Sequence, residues 1–148
     1  MNLAIIGATG LVGEEILKVL KERNIFITNL ILVASEKSQG KTISFLNSDY
    51  KIISIENALE KKLDVAIFSA GKDISLKWAE KFANKGVTVI DNSSAWRMDS
   101  SKKLVVSEVN SEVLTKDDYI IANPNCSTMQ LMVVLAPLHK VFKIKRLV

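Results

Sequence analysis

Short apolar runs alternate along this chain with stretches of helical periodicity, and that alternation restricts the possible folds more than any other feature. "NLAIIG" is apolar at consecutive positions and is stopped by Gly7, the pattern of a strand buried on both faces. "LVGEEILKVLKERN" follows, with Val12, Ile16, Val19 and Leu20 at helical spacing and charges opposite, as in an amphipathic helix. "NLILVAS" reads as the next strand, ending at Ser35, and "KTISFLNSDYKIIS" as two β-rich pieces split by "LNSD", a small hairpin excursion. "DVAIFSAG" is a further buried strand. "DISLKWAEKFANKG" then places Ile74, Trp78 and Phe82 four apart and stops at Gly86, a helix with its terminating glycine. "VTVIDNSS" and "DYIIANP" complete the strands. The order predicts an α/β fold, a doubly wound and mostly parallel sheet with helices on both faces. Trp78 and the Met129/Met132 pair fall at helical spacing and read as core.

A length of 148 residues fits one domain with a real core. The net charge of +4 comes from scattered lysines; no basic block is interleaved with aromatics, so a solvated surface is expected and no nucleic-acid partner. The first residues lack the basic, apolar and cleavage-site regions of a secretory signal. Leu131 to Leu138 is too short to span a bilayer and is interrupted by Pro137. A lone cysteine forms no internal disulfide, and no Cys/His cluster suggests a metal. A cytoplasmic location without membrane contact is the expectation.

The first strand leads directly into "GATGLVG", with Gly7, Gly10 and Gly13 three apart. Glycine permits a tight turn and lets a phosphate approach the first helical N–H groups, while the third glycine lets helix and strand pack closely. Placement between a strand and an amphipathic helix favours a dinucleotide, although tight strand-helix turns also use glycine for geometry alone. The first two glycines of the commonest fingerprint are two apart, closer than here. The second strand ends in "ASEKSQGK", where an acid suits a ribose hydroxyl and a cation with hydroxyls suits a 2′-phosphate. Ser35, Lys37 and Ser38 favour NADP; Glu36 opposes it; an exposed polar turn is the alternative.

The only cysteine sits in "NPNCST". Pro124 has a preset φ and suits the start of a helix, so Cys126 is expected in the first helical turn, where unpaired N–H groups and the positive dipole end converge. That position favours a thiolate nucleophile, and the same N–H groups suit a developing oxyanion. Ser127 and Thr128 are placed to help cap the end. An inert core thiol is the alternative, but polar residues flank this one on both sides. His139 lies thirteen residues further along the same helix, about 20 Å away, so the proton-transfer partner must come from elsewhere. Met129, Leu131, Met132, Val133, Val134 and Leu135 leave this helix almost no polar face, and such a helix needs cover on several sides. "KIKRLV" reads as the opening of another strand, and the whole as the front part of a longer protein.

With "GATGLVG", "SAG", "DNSSAWR" and "NPNCST" in this order, the chain resembles the aspartate-β-semialdehyde dehydrogenases, over essentially all of its length but only over their N-terminal part. The resemblance implies a Rossmann-type NADP-binding domain over residues 1–148 that carries the catalytic cysteine, with an α+β substrate and dimerisation domain beyond it. It implies NADPH-dependent reductive dephosphorylation of β-aspartyl phosphate to aspartate β-semialdehyde, on the route to lysine, methionine and threonine. Cys126 matches the nucleophile that displaces phosphate to give a thioester. Arg97 matches the arginine that holds the substrate phosphate, and Asn125 a neighbour that assists. Gly7, Thr9, Gly10, Leu11, Val12 and Gly13 match the pyrophosphate loop, Ser35, Lys37 and Ser38 the 2′-phosphate site, and Ser69, Ala70 and Gly71 the nicotinamide side. Two departures are Lys37, where arginine is common, and Ser107, where proline is usual. The family's catalytic histidine and its further glutamine, glutamate, arginine and lysine belong to the second domain, so the fragment is expected to be inactive alone and the full protein a homodimer. The alternatives are N-acetyl-γ-glutamyl-phosphate reductase, which usually has glycine where this chain has Asn125, and a non-catalytic NADP-binding module.

Overall fold

In the computed structural model, which describes residues 1–148, the apolar runs become the centre of one eight-stranded sheet. The strands are β1 (Asn2–Ile6), β2 (Asn29–Val33), β3 (Thr42–Phe45), β4 (Ser48–Ile53), β5 (Val65–Phe68), β6 (Thr88–Asp91), β7 (Lys103–Leu104) and β8 (Ile120–Ala122). Their spatial order is β3-β4-β2-β1-β5-β6-β8-β7, and every pairing is parallel except β3 with β4. The helices are α1 (Leu11–Glu22), α2 (Ile55–Leu59), α3 (Lys72–Ala83), α4 (Ser107–Asn110) and α5 (Cys126–Phe142).

Alternate residues of β1 explain its unbroken apolarity. Leu3 and Ile5 pack with Leu17 and Leu20 of α1 on one face. Ala4 and Ile6 pack with Ala58 of α2 and Trp78, Ala79 and Phe82 of α3 on the other, as the period of two in a strand requires. Phe68 meets Phe82 edge to face, with centroids 5.5 Å apart, an arrangement aromatic quadrupoles favour.

The register matters most for function. Ile6 pairs with Val33 and Phe68, Phe68 with Asp91, and Asp91 with Ala122. Five parallel strands therefore end in one row, and chain order reverses between β1 and β5. In doubly wound sheets ligands bind at such a reversal, outside the carboxyl ends.

Several expectations shift. The buried stripe of α1 is Gly13, Leu17 and Leu20, whereas Val12 and Val19 face solvent. The cause is close backbone approach at Gly13, where a Cβ would stand 2.3 Å from the Gly7 carbonyl oxygen; that contact sets the rotation of the helix. The hairpin is more than an excursion. Leu46 and Asn47, with φ of 47° and 64°, make the two-residue turn whose twist suits a hairpin, and β4 then pairs with β2 as Leu32 with Ile52. α5 continues through Pro137, no residue of it is buried, and His139 is exposed. "KIKRLV" forms no strand; Lys143 caps α5 in the left-handed region at φ 53° and residues 144–148 follow without regular structure. No helix is long and apolar enough to cross a membrane.

Candidate active site

At the β1/β5 reversal a groove of about 540 Å³ opens, a size suited to a ligand of a few hundred daltons. Gly7 and Ala8 both donate their N–H groups to the Val33 carbonyl, at 2.8 and 2.9 Å, which turns the chain sharply off β1. Gly7 holds φ 98°, and a Cβ there would stand 2.4 Å from the Ser69 oxygen, so only glycine fits between the ends of β1 and β5. Gly10 is the N-cap of α1 and makes no side-chain capping bond. The first-turn N–H groups that a helix leaves unpaired are thus free for an anion, and the residues present fit a dinucleotide pyrophosphate.

Of the residues expected here, Gly7, Thr9, Gly10, Ser35, Ser69 and Ala70 line the groove. Leu11 and Val12 point to solvent and Gly13 is buried beneath the loop. Gly71, with φ 91°, is the exposed N-cap of α3 and is not among the lining residues. Lys37 and Ser38 belong to a single 3-10 turn, Glu36–Ser38, and are not among the lining residues, whereas Glu36 is. Sequence reasoning missed Gln39, Ile55, Glu56, Lys77 and Trp78, which also line it. Ile55 and Glu56 open α2, and its N-cap Ser54, accepting from the Asn57 N–H at 3.2 Å, was the available signal.

A second cluster forms further along the same edge. Arg97 is half-buried and donates from Nε to the Asn123 carbonyl at 2.9 Å and from Nη2 to the Asn92 carbonyl at 3.0 Å. It thereby bridges the residues that immediately follow β6 and β8. Asn123 Nδ2 also donates to Asn92 Oδ1. Asn125 is the N-cap of α5 and its Oδ1 accepts from the Ser127 N–H at 2.9 Å; this cap replaces the expected Ser127 and Thr128. Cys126 is the first residue of α5, exposed, with Sγ 3.9 Å from Asn125 Oδ1. Pro124 precedes the cap and lies one step outside the helix.

Beneath this cluster lies a buried network that sequence reasoning also missed. Asp91 accepts from Ser75 Oγ, from the Ser93 N–H at 2.7 Å and from Ser93 Oγ at 2.9 Å. Ser75 Oγ in turn accepts from Trp96 Nε1 at 3.1 Å. A polar residue on the apolar stripe of α3, Ser75 beside Trp78, Ala79 and Phe82, was the readable sign.

Asn125 and Cys126 adjoin at the start of α5, Arg97 is tied to Asn123 two residues before Asn125, and none of the three lines the groove. The end of β8 is two strands from that of β5, about 10 Å at ordinary strand spacing, a step that the nicotinamide half of a dinucleotide can span. His139 is not part of either cluster.

Known proteins resemble this chain in sequence and in fold. The family described as semialdehyde dehydrogenase, NAD binding domain, matches residues 2–117. An aspartate-semialdehyde dehydrogenase of Aquifex aeolicus is 53% identical over 151 residues, covering 99% of this chain and 44% of that protein. The crystal structure of aspartate semialdehyde dehydrogenase II from Vibrio cholerae, complexed with ASA, superimposes with a TM-score of 0.87 at 46% identity, over 95% of this chain and 46% of that one. The Candida albicans enzyme with NADP gives 0.76 at 27% identity, over 97% and 48%. The chain spans less than half the length of these relatives.

Proposed function

We propose, for a chain that belongs to the semialdehyde dehydrogenase family through its NAD-binding domain, that residues 1–148 hold NADP and carry the nucleophile for reductive dephosphorylation of β-aspartyl phosphate to aspartate β-semialdehyde. One observation carries the reading: Cys126 opens α5 three residues after Asn123, whose carbonyl holds the Arg97 guanidinium between two strand ends, on the sheet edge that also bears the glycine-lined groove.

In this reading the Cys126 thiolate attacks the acyl carbonyl carbon, and the unpaired N–H groups of the first α5 turn receive the charge forming on oxygen. Arg97 and Asn125 hold the phosphate, a task that suits a guanidinium fork. Collapse of the adduct breaks the C–O bond to phosphate and leaves a thioester on Cys126. NADPH, when bound, supplies the hydride that reduces it. Gly7, Thr9 and Gly10 cradle the pyrophosphate, Ser69 and Ala70 border the path towards the thiol, and Ser35, with the nearby Lys37 and Ser38, serves the 2′-phosphate. The NADP in the Candida albicans relative supports that choice, and Glu36 on the groove wall opposes it. The reading assigns the general base to the family's second domain and takes the full-length enzyme to be a cytoplasmic homodimer.

The test is turnover of the full-length protein with semialdehyde, phosphate and NADP, and again with N-acetylglutamyl semialdehyde. Cys126→Ala is expected to lower kcat by about 10³-fold or more; wild-type turnover in that variant would remove the covalent role. Preference for the acetylated substrate would move the reading to the related reductase.

A further inference from the structure

Asp91 is a carboxylate buried to 1% exposure, beside Ser75 at 0%, and neither of the chain's ion pairs involves it. Burying such a group is costly unless hydrogen bonds satisfy it, and here hydroxyl and amide donors do so entirely. These bonds all act on one short loop. Ser93 is tied to Asp91, the Ala95 N–H donates to Ser93 Oγ at 3.1 Å, and Trp96 is tied through Ser75 to α3. The next residue is Arg97. Its two bonds to carbonyls use Nε and one hydrogen of Nη2, so the Nη1 pair and the second Nη2 hydrogen remain for an anion. Asn123, which accepts from Nε at 2.9 Å, is three residues before Cys126, so the guanidinium stands within roughly 14 Å of the thiol's backbone.

We infer that Ser75, Asp91 and Trp96 are positioning residues, which aim the free end of the Arg97 guanidinium at an anionic group brought to Cys126. This rests on the role given to Arg97 above. Apolar side chains would fill the same volume at lower desolvation cost; a polar network instead fixes direction, because hydrogen bonds are directional.

The experiment compares the rates at which iodoacetate and iodoacetamide alkylate Cys126 in the full-length protein at low ionic strength, read by mass spectrometry of the peptide that carries this thiol. An aimed cation at this range favours the anionic reagent, and Arg97→Ala is expected to lower the iodoacetate/iodoacetamide ratio about two- to five-fold. Trp96→Phe keeps the ring and removes the donor, and Ser75→Ala removes the hydroxyl; both leave the charge unchanged. Each is expected to lower the ratio by at least half of the Arg97→Ala effect. General loosening of the fold exposes the thiol to both reagents alike and leaves the ratio in place, and if one variant does not fold the other carries the test. A wild-type ratio in the folded neutral variants, with a lowered ratio in Arg97→Ala, overturns the positioning role and leaves Arg97 as the anion-binding group. An unchanged ratio in Arg97→Ala itself overturns both.

Discussion

Gly13→Ala sets two physical effects of opposite sign against each other. Alanine in a helix interior is more favourable than glycine by about 1 kcal/mol, so propensity alone predicts a more stable protein. The packing predicts the reverse. A Cβ at position 13 would stand 2.3 Å from the Gly7 oxygen and 2.8 Å from the carbonyl carbon and Cα of Ala8, all backbone atoms that no rotamer change can move. Ordinary contact needs about 1 Å more, so α1 must lift away from β1, loosening Leu17 and Leu20 against Leu3 and Ile5. Overpacking ordinarily costs about 1–3 kcal/mol, and here, where only backbone can move to relieve it, about 2–4 kcal/mol. Packing therefore wins, by about 1–3 kcal/mol net. Urea unfolding reads this directly: with a slope of about 2 kcal/mol per molar, the midpoint falls by roughly 0.5–1.5 M. Gly10→Ala is the comparison. Its nearest neighbour is the Gly7 oxygen at 3.4 Å, and it loses chiefly the N-cap preference, about 0.5–1 kcal/mol. A midpoint for Gly13→Ala at or above wild type would refute the close-approach account of α1.

Glu36→Gln is expected to raise affinity for NADPH relative to NADH by about two- to five-fold, since it removes a carboxylate from the groove wall on the side proposed for the 2′-phosphate. Fluorescence titration with both nucleotides measures it, and an unchanged ratio shows that Glu36 does not face the phosphate. Asp118 titrates below its ordinary value of 3.8, held down first by the Thr115 N–H and then by the Thr115 hydroxyl. A depressed folded value means its stabilisation is complete above 3.8 and is lost as pH falls through that lowered value. Melting curves of wild type and Asp118→Ala should therefore converge in acid, and a gap independent of pH would contradict the assignment.

The strands were legible because each apolar run is covered on both faces, and the glycine loop because its spacing joins a strand to a helix. What escaped reading depended on partners distant in sequence. β7, Lys103–Leu104, is exposed and has no apolar signature; it exists because β8 offers it a partner. The face of α1 was misjudged because Val12 and Val19 fit the helical period as well as Leu17 does, and a contact with Gly7 decides between them. The position of Cys126 followed from local rules of helix initiation. The role of Ser75 did not, since its partners Asp91 and Trp96 lie sixteen and twenty-one residues later and no local pattern links them.

Because the parallel strands finish level with one another, each contributes its own loop to a common rim without crossing its neighbours. Segments after the first, second, fourth and fifth strands border the groove, while those after the sixth and eighth carry the arginine and the thiol. The two groups share no residue. Under the proposed function, the loops assigned to the acyl group can therefore vary without disturbing those assigned to the nucleotide.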